Sequence, residues 1–393
     1  MLPLFAILVA SCLALLGAGI LEQRNHLGNL RTIPTRILVN GSRGKSSITR
    51  LCAGALRGGG LVVVAKTTGT AARFIYPDAT EEPIHRKLGI ANVIEQVGIV
   101  RRAVAFFPDA LVMECMAVSP ALQEINQTKL VRSSIGILSN VRDDHMDEMG
   151  NTLDAVARSM SRSMPPGGVC VTAETDQIGV LREEAARRSC RLLEVDADSV
   201  SDEEMKGFSW ITFKENVAVA LAVAELLGVD RQSALKGMWA TPPDPGALGV
   251  ADYLIGRRRL RVANIFAAND PESTMMNVER LRVIGAISGS THLVINCRPD
   301  RVERNGQMGA LVPRLDPARI FLIGEPTRSA RATIPTQWHP RVVDLGGRRD
   351  PQELVDGILQ SVDDYSTLIA VGNVHGQGER LLEHLTHLTR EST

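Results

Sequence analysis

The sequence predicts an α/β protein: an apolar N-terminal helix, then a central domain on a mostly parallel sheet, then a smaller C-terminal α/β domain. Three observations predict it. Leu2 to Leu21 carries no charged residue. From Ile37 onward, short apolar runs alternate with helical patterns, the signature of strand–helix–strand units. Thr241-Pro242-Pro243-Asp244-Pro245-Gly246 then breaks the alternation with a stretch that can continue neither helix nor strand.

Twenty helical residues span about 30 Å, the thickness of a bilayer's hydrocarbon core. Leu2–Leu21 is therefore long enough to cross one. A cleaved leader carries positive charge ahead of its apolar stretch. Here Arg24, Arg31 and Arg36 follow it instead, which puts the remaining chain on the cytoplasmic side by the positive-inside rule. The expectation is one N-terminal anchor in the cell membrane with cytoplasmic domains behind it.

Composition narrows the partners. Over 393 residues, 44 Lys and Arg balance 44 Asp and Glu, so no global field draws nucleic acid. Aromatics make up only 4%, too few for base-stacking platforms. No nucleic-acid partner is expected. The six cysteines lie scattered without a CxxC pair, which argues for reduced, buried thiols rather than zinc or a disulfide framework.

Ile37–Asn40 reads as the first strand, Lys45–Leu56 as a helix and Leu61–Ala65 as a strand. Ile90, Val93, Ile94, Val97, Val100 and Val104 stand at helical spacing. Asp109–Glu114, Ile135–Ser139 and Val169–Thr172 read as further strands, with a helix between the last two marked by Leu153, Val156, Ala157, Met160 and Met164. The acidic cluster near 195–203 reads as a solvated loop, and Asn216–Leu227 as a helix stopped by Gly228. Beyond the Pro-rich break, strands recur near Leu260–Ile265, Leu293–Ile295, Ile320–Ile323 and Leu368–Val371. No internal repeat emerges.

The first strand feeds Asn40-Gly41-Ser42-Arg43-Gly44-Lys45-Ser46-Ser47 and then a helix. Glycines let such a turn fold tightly and aim its N–H groups at a phosphate chain, while the new helix presents its positive end. Lys45 would lie along the outer phosphates of ATP, and the Ser46 hydroxyl would hold Mg²⁺. Two residues separate Gly41 from Gly44, against four in the standard phosphate loop, so the pattern is a variant. The middle of the chain thus reads as a P-loop ATPase domain. The organisation expected is an anchor at 1–22, an ATP-binding central domain at 23–245 and a C-terminal α/β ligand domain at 246–393.

Two acidic elements follow. Asp109–Glu114 is an apolar strand delivering Glu114 at its C-terminal end, where parallel sheets bind ligands. A carboxylate there would complete the Mg²⁺ shell begun by Ser46. Asn140-Val141-Arg142-Asp143-Asp144-His145-Met146-Asp147 follows the next strand. His145 would bind a second metal, with Asp144 or Asp147 fixing its tautomer. A loop capping the following helix is the plainer reading of the same residues.

Gly-x-x-Gly-Lys-Ser, a strand-ending Glu and Asn-x-x-x-Asp-His-x-Asp-x-x-Gly, in this order, resemble the Mur ligase superfamily of ATP-dependent amide-forming ligases. The resemblance spans roughly residues 36–390. Within it the chain is most similar to the membrane-anchored ligase subunits of poly-γ-glutamate synthases, through Ala65-Lys66-Thr67-Thr68-Gly69-Thr70 and Gly372-Asn373-Val374-His375-Gly376-Gln377-Gly378. The resemblance implies that Asn216 contacts adenine, and that Asn269-Asp270-Pro271-Glu272-Ser273 opens the ligand domain. It also implies substrate roles for Thr67, Thr68, Asp144, Asp147, Asn269, Asp270 and Ser273. The implied partners are glutamate, a growing poly-γ-glutamate chain, the membrane and other membrane subunits of a synthase or export complex. A homo-oligomer is compatible with it.

Three features depart from the superfamily pattern. No lysine stands near Arg158–Met160, where many of these ligases carry a carbamylated lysine. The linker arginine near Pro242–Gly246 and the histidine before Asn269 are also missing. The chemistry implied is transfer of the ATP γ-phosphoryl to a carboxylate, then attack by an amine, with closure about the Pro-rich linker excluding water. Two other classes fit the loop alone: a membrane-bound P-loop kinase or ATPase, and a non-catalytic nucleotide-binding scaffold of an export complex.

Overall fold

The structure, a computed structural model, describes residues 2–68, 72–84, 92–143, 145–244, 248–256, 258–266, 268, 270–287 and 289–391. The chain divides into two compact units, Met1–Asp244 and Pro245–Thr393.

Helix α1 runs Leu2–Thr32, eleven residues past the end of the apolar stretch. It is long and apolar enough to cross a membrane. Its large apolar side chains from Leu13 to Leu21 are exposed, whereas Leu30, and Ile33 just beyond the helix, are buried in the unit. Burying each of these two contributes about 1.5–3 kcal/mol, which explains why the helix continues through a polar sequence.

Eight strands form the first sheet: β1 (Thr35–Asn40), β2 (Val63–Thr67), β3 (Arg73–Ile75), β4 (Glu81–Pro83), β5 (Ala110–Glu114), β6 (Ile135–Leu138), β7 (Val169–Thr172) and β8 (Arg191–Glu194). Their order is β4-β3-β2-β5-β1-β6-β7-β8. All pair in parallel except the β2–β3 and β3–β4 neighbours. Runs such as Ile37-Leu38-Val39 and Leu111-Val112-Met113 are fully buried, as strands covered on both faces must be.

The helices are α2 (Lys45–Gly58), α3 (Glu95–Ala103), α4 (Pro120–Ile125), α5 (Met146–Met149), α6 (Leu153–Met160), α7 (Ile178–Arg187), α8 (Asp202–Lys206), α9 (Lys214–Leu226) and α10 (Arg231–Trp239). One core joins Ile37 and Val39 to α2, α9 and α10. The opposite face packs Leu38 against α1 and α3, and Leu138 against α6 and α7. Strand β1 lies between β5 and β6, where the chain switches its direction of travel across the sheet. Ligands of doubly wound sheets bind at the carboxyl ends of such strands.

Three details differ from the sequence reading. The helix expected from Ile90 spans Glu95–Ala103, and Ile90 itself lies outside the described residues. The β3–β4 hairpin has strands of three residues each, Arg-Phe-Ile and Glu-Glu-Pro, too short to show a periodic pattern. The acidic cluster near 195–203 holds α8, started by a capping box in which Ser201 and Glu204 bond reciprocally.

The second unit carries β9 (Gly249–Ile255), β10 (Arg258–Asn264), β11 (Thr291–Cys297), β12 (Ile320–Gly324), β13 (Val342–Gly346) and β14 (Ser366–Gly372) in the order β13-β12-β11-β14-β10-β9. Among the described residues only β9 is antiparallel to its neighbour. Its core includes Leu260, Val262, Val294, Phe321 and Leu368.

Candidate active site

The turn after β1 takes the shape its glycines allow. Gly41 has φ 133° and Gly44 φ 80°, both in the region that L side chains avoid. A side-chain carbon on Gly41 would come within 2.0 Å of Ser139 Oγ, and one on Gly44 within 3.0 Å of Asn216 Oδ1. Asn216, on α9, is therefore packed against the loop itself. Gly44 starts α2 without any side-chain cap, which leaves first-turn N–H groups for an anion. Ser47 is half-buried in that first turn.

The loop is braced from β6. Asn140 O accepts from Ser42 N at 3.0 Å, and Asn140 Oδ1 accepts from Arg43 N at 3.0 Å. Ser139 Oγ donates to Arg43 O at 2.6 Å. Ser42 Oγ donates to Arg142 O and accepts from Arg142 N. Sequence reasoning assigned Asn140 only to the following acidic element and missed this bracing; an Asn directly after a buried strand, offering both donor and acceptor, was the signal. The Asn40 side chain is occupied by Gln123 and Ser163, at 2.8 and 3.0 Å, and so supports the loop from beneath. Lys45 Nζ donates across the turn to Gly41 O at 2.6 Å and Ser42 O at 3.2 Å.

Strand β5 brings Glu114 to this loop, with Val39 of β1 opposite it in register. Glu114 is 2% exposed. Its Oε2 accepts from Ser46 Oγ at 2.8 Å and from Thr68 N at 2.7 Å. Adjacent oxygens of an octahedral Mg²⁺ shell, at 2.0–2.1 Å from the ion, stand about 3 Å apart, so this pair fits the ion's edge. Among the described residues no three His, Cys, Asp or Glu side chains gather as a metal cluster. Two protein oxygens suit Mg²⁺, which keeps waters and shares phosphate oxygens rather than filling an all-protein cage.

Other candidates lie differently. His145 is exposed, with φ 44°, immediately before the single-turn α5, and Asp147 is exposed on that turn. Asp144 and Asn269 lie outside the described residues. Thr67 is fully buried, and its hydroxyl has no partner among the described residues. In the second unit, Asp270 accepts from Ser273 N at 2.8 Å and caps α11 (Pro271–Val283). Arg158 is paired with Glu183 and Glu184 of α7, at 3.1 and 3.0 Å, so its charge is spent there.

Two buried cations near the loop were given no role from sequence. Lys66, fully buried at the end of β2, pairs with Glu95 Oε1 at 2.8 Å. Arg50, on α2 and 1% exposed, donates to Asp244 Oδ1 at 3.1 Å and Glu81 Oε2 at 2.7 Å. Burial pushes the Asp244 carboxyl up to about 6, with Glu114 and Glu81 adding to the effect and Arg50 opposing it. An unfolded Asp titrates near 3.9, so between about pH 4 and 6 the folded chain holds the extra proton. Stability from this group is present below pH 4 and is lost as pH rises through 6, by up to about 3 kcal/mol. Asp244→Asn removes that component. Its stability relative to the parent should rise by that order between pH 4 and 7 in paired thermal melts; parallel curves would refute the assignment.

The fold and the loop together define a nucleotide-binding α/β protein of the Mur ligase type. The Mur ligase middle domain matches residues 39–227, and the poly-gamma-glutamate synthase CapB C-terminal domain matches residues 250–388. The chain is 36% identical over 386 residues to PGA synthase CapB of Bacillus subtilis (strain 168), covering 96% of this chain and 97% of that protein. It is 37% identical over 377 residues to the capsule biosynthesis protein CapB of Bacillus anthracis, covering 93% and 79% respectively. The chain belongs to the CapB family of Mur-ligase-type ATP-dependent ligases.

Solved structures agree on the fold. The bifunctional folylpolyglutamate synthase/dihydrofolate synthase of Yersinia pestis, complexed with AMPPNP and Mn, superposes with a TM-score of 0.68 at 15% identity, covering 93% of this chain and 92% of that one. A folylpolyglutamate synthase/dihydrofolate synthase with Mn, AMPPNP and L-glutamate bound gives 0.65 at 16%, covering 92% of each.

Proposed function

We propose that the chain is a membrane-anchored ATP-dependent γ-glutamyl ligase that extends poly-γ-glutamate. The single observation that carries this reading is the Ser46–Glu114 pair at the lip of a glycine turn, in a chain of the CapB family. The chemistry needs activation because a carboxylate is a poor electrophile. A γ-carboxylate oxygen of the growing chain attacks the γ-phosphorus of ATP, the bond to the β-phosphate oxygen breaks, and ADP leaves. The amine of incoming glutamate then attacks the acyl carbon of the acyl phosphate. The nitrogen gives up its proton, the carbon–oxygen bond to phosphate breaks, and inorganic phosphate departs with the amide formed.

In this reading the α2 first-turn N–H groups and Lys45 hold the phosphates in line for transfer. Ser46 and Glu114 would hold Mg²⁺, which when bound neutralises charge building on the phosphoryl oxygens. Asn216, packed on Gly44, supports a base-contacting role beside the loop. His145, exposed immediately before α5, serves the acceptor carboxylate. His145→Ala should therefore keep its melting temperature while losing polymer synthesis; a variant with normal turnover would remove His145 from the site. The anchor α1 keeps a long polyanion beside membrane partners that receive it.

The test is ADP release by the full chain in membranes, with and without glutamate and a poly-γ-glutamate acceptor. Stimulation by both together, with isotope-labelled glutamate recovered in polymer by mass spectrometry, is the expected result. ADP release indifferent to every carboxylate–amine pair would sink the reading.

A further inference from the structure

We infer that the surface around the entry of α1 into the first unit is a second membrane contact, with Lys129, Arg132 and Phe107 lying in the headgroup layer of an anionic bilayer. The inference rests on α1 being a membrane anchor.

Spacing is the first argument. The apolar stretch ends at Leu21, yet His26 is already 3% exposed, and its Nε2 donates to Leu130 O at 2.9 Å. Five helical steps, about 7.5 Å of rise, separate the two. One headgroup layer is roughly 5–8 Å thick. Because α1 is continuous to Thr32, no flexible connector lets the unit stand away from the bilayer. The surface beside Leu130 is thus brought to headgroup depth.

Charge is the second. Lys129 and Arg132 flank Leu130 and are exposed. Arg36 lays its guanidinium on the end of α1, donating to Leu30 O at 3.0 Å and Ile33 O at 2.5 Å, and through Nε to Arg132 O at 3.0 Å. Burial and the Arg132 charge hold Arg36 below its ordinary pKa, a crowding that a nearby anion relieves. At the far end of the same helical segment Glu124 is held by Arg162 and Arg188. The cavity there, about 460 Å³, is lined by four arginines, each ion-paired with Glu124, Glu183 or Glu184. Among the described residues the unpaired positive charge thus lies at Lys129 and Arg132 rather than in the cavity. The opposing charges are Glu22 on α1 and Asp109, whose Oδ2 accepts from Val62 N. The whole chain is neutral, so this excess of cations is local.

Phe107 is the third. It is 85% exposed and sits at φ 48°, a left-handed conformation that bulky residues rarely adopt. Three residues earlier, Val104 packs in the cluster that receives Leu27 and Leu30 of α1. An aromatic ring at that edge gains nothing in water and is well placed at a bilayer interface. A polycarboxylate would be drawn to the same cations, but it gives neither the ring nor the spacing a purpose.

The test uses full-length Phe107→Trp chain in vesicles of phosphatidylcholine, with or without phosphatidylglycerol, each doped with brominated lipid. Quenching of the new tryptophan above that of the parent, greater with phosphatidylglycerol and reduced by salt, is expected. Lys129→Gln and Arg132→Gln should each weaken that contact about fivefold. No added quenching in any vesicle, while the chain still floats with the lipid, overturns the inference and leaves the anchor standing. A chain that fails to float overturns the anchor itself. Perturbation of Trp fluorescence by added poly-γ-glutamate, with none by lipid, assigns the patch to polymer and also overturns the inference.

Discussion

Glu114→Gln is expected to lower turnover by about two to three orders of magnitude while leaving the fold intact. The amide oxygen can still accept from Ser46 Oγ and Thr68 N, the two bonds that Glu114 Oε2 makes at 2.8 and 2.7 Å. What disappears is the negative charge facing Ser46. A bound metal stabilises transferring charge by several kcal/mol, and each 1.36 kcal/mol is tenfold in rate. ADP release should fall accordingly, and the Mg²⁺ concentration for half-maximal rate should rise. The melting temperature without nucleotide should change little, since no bond is orphaned. A Gln variant that turns over normally at ordinary Mg²⁺ would reduce Glu114 to a structural acceptor for the β2–β5 edge.

The legible parts of the fold are those governed by local pattern. Ile37-Leu38-Val39 announces a strand buried on both sides, and Gly41 and Gly44 announce backbone that only glycine adopts comfortably. The illegible parts depend on partners far away in sequence. Arg50 is an ordinary polar helix residue until Glu81 and Asp244, 31 and 194 residues further on, meet it in the interior. Strand β8 carries no apolar alternation, because its edge position leaves it half covered. Helix α1 outruns its apolar stretch because tertiary packing of Leu30 overrides local composition. Glu114 was readable as the end of a strand. That Ser46 stands 2.8 Å from it follows from β5 lying beside β1, a pairing set by strand order rather than by either residue.

Lys45→Ala should abolish stabilisation of the chain by ATP and Mg²⁺. A ligand at a hundredfold its Kd raises folding stability by about 2.7 kcal/mol. For a unit the size of Met1–Asp244 that corresponds to roughly 5–10 °C in Tm. Lys45 is half-buried and its ammonium donates to Gly41 O and Ser42 O. Losing those two bonds from a half-exposed ammonium costs about 1–2 kcal/mol each, so the variant should melt several degrees lower without nucleotide. The difference between these effects separates the two roles of the side chain. A lysine that merely ties the turn would lower both curves together and leave the ATP-dependent gap unchanged. A lysine that leaves those carbonyls for the phosphates would close the gap. Thermal melts of parent and variant across an ATP titration distinguish the outcomes, and a gap that survives the substitution would move nucleotide binding away from the turn at Gly41–Ser47.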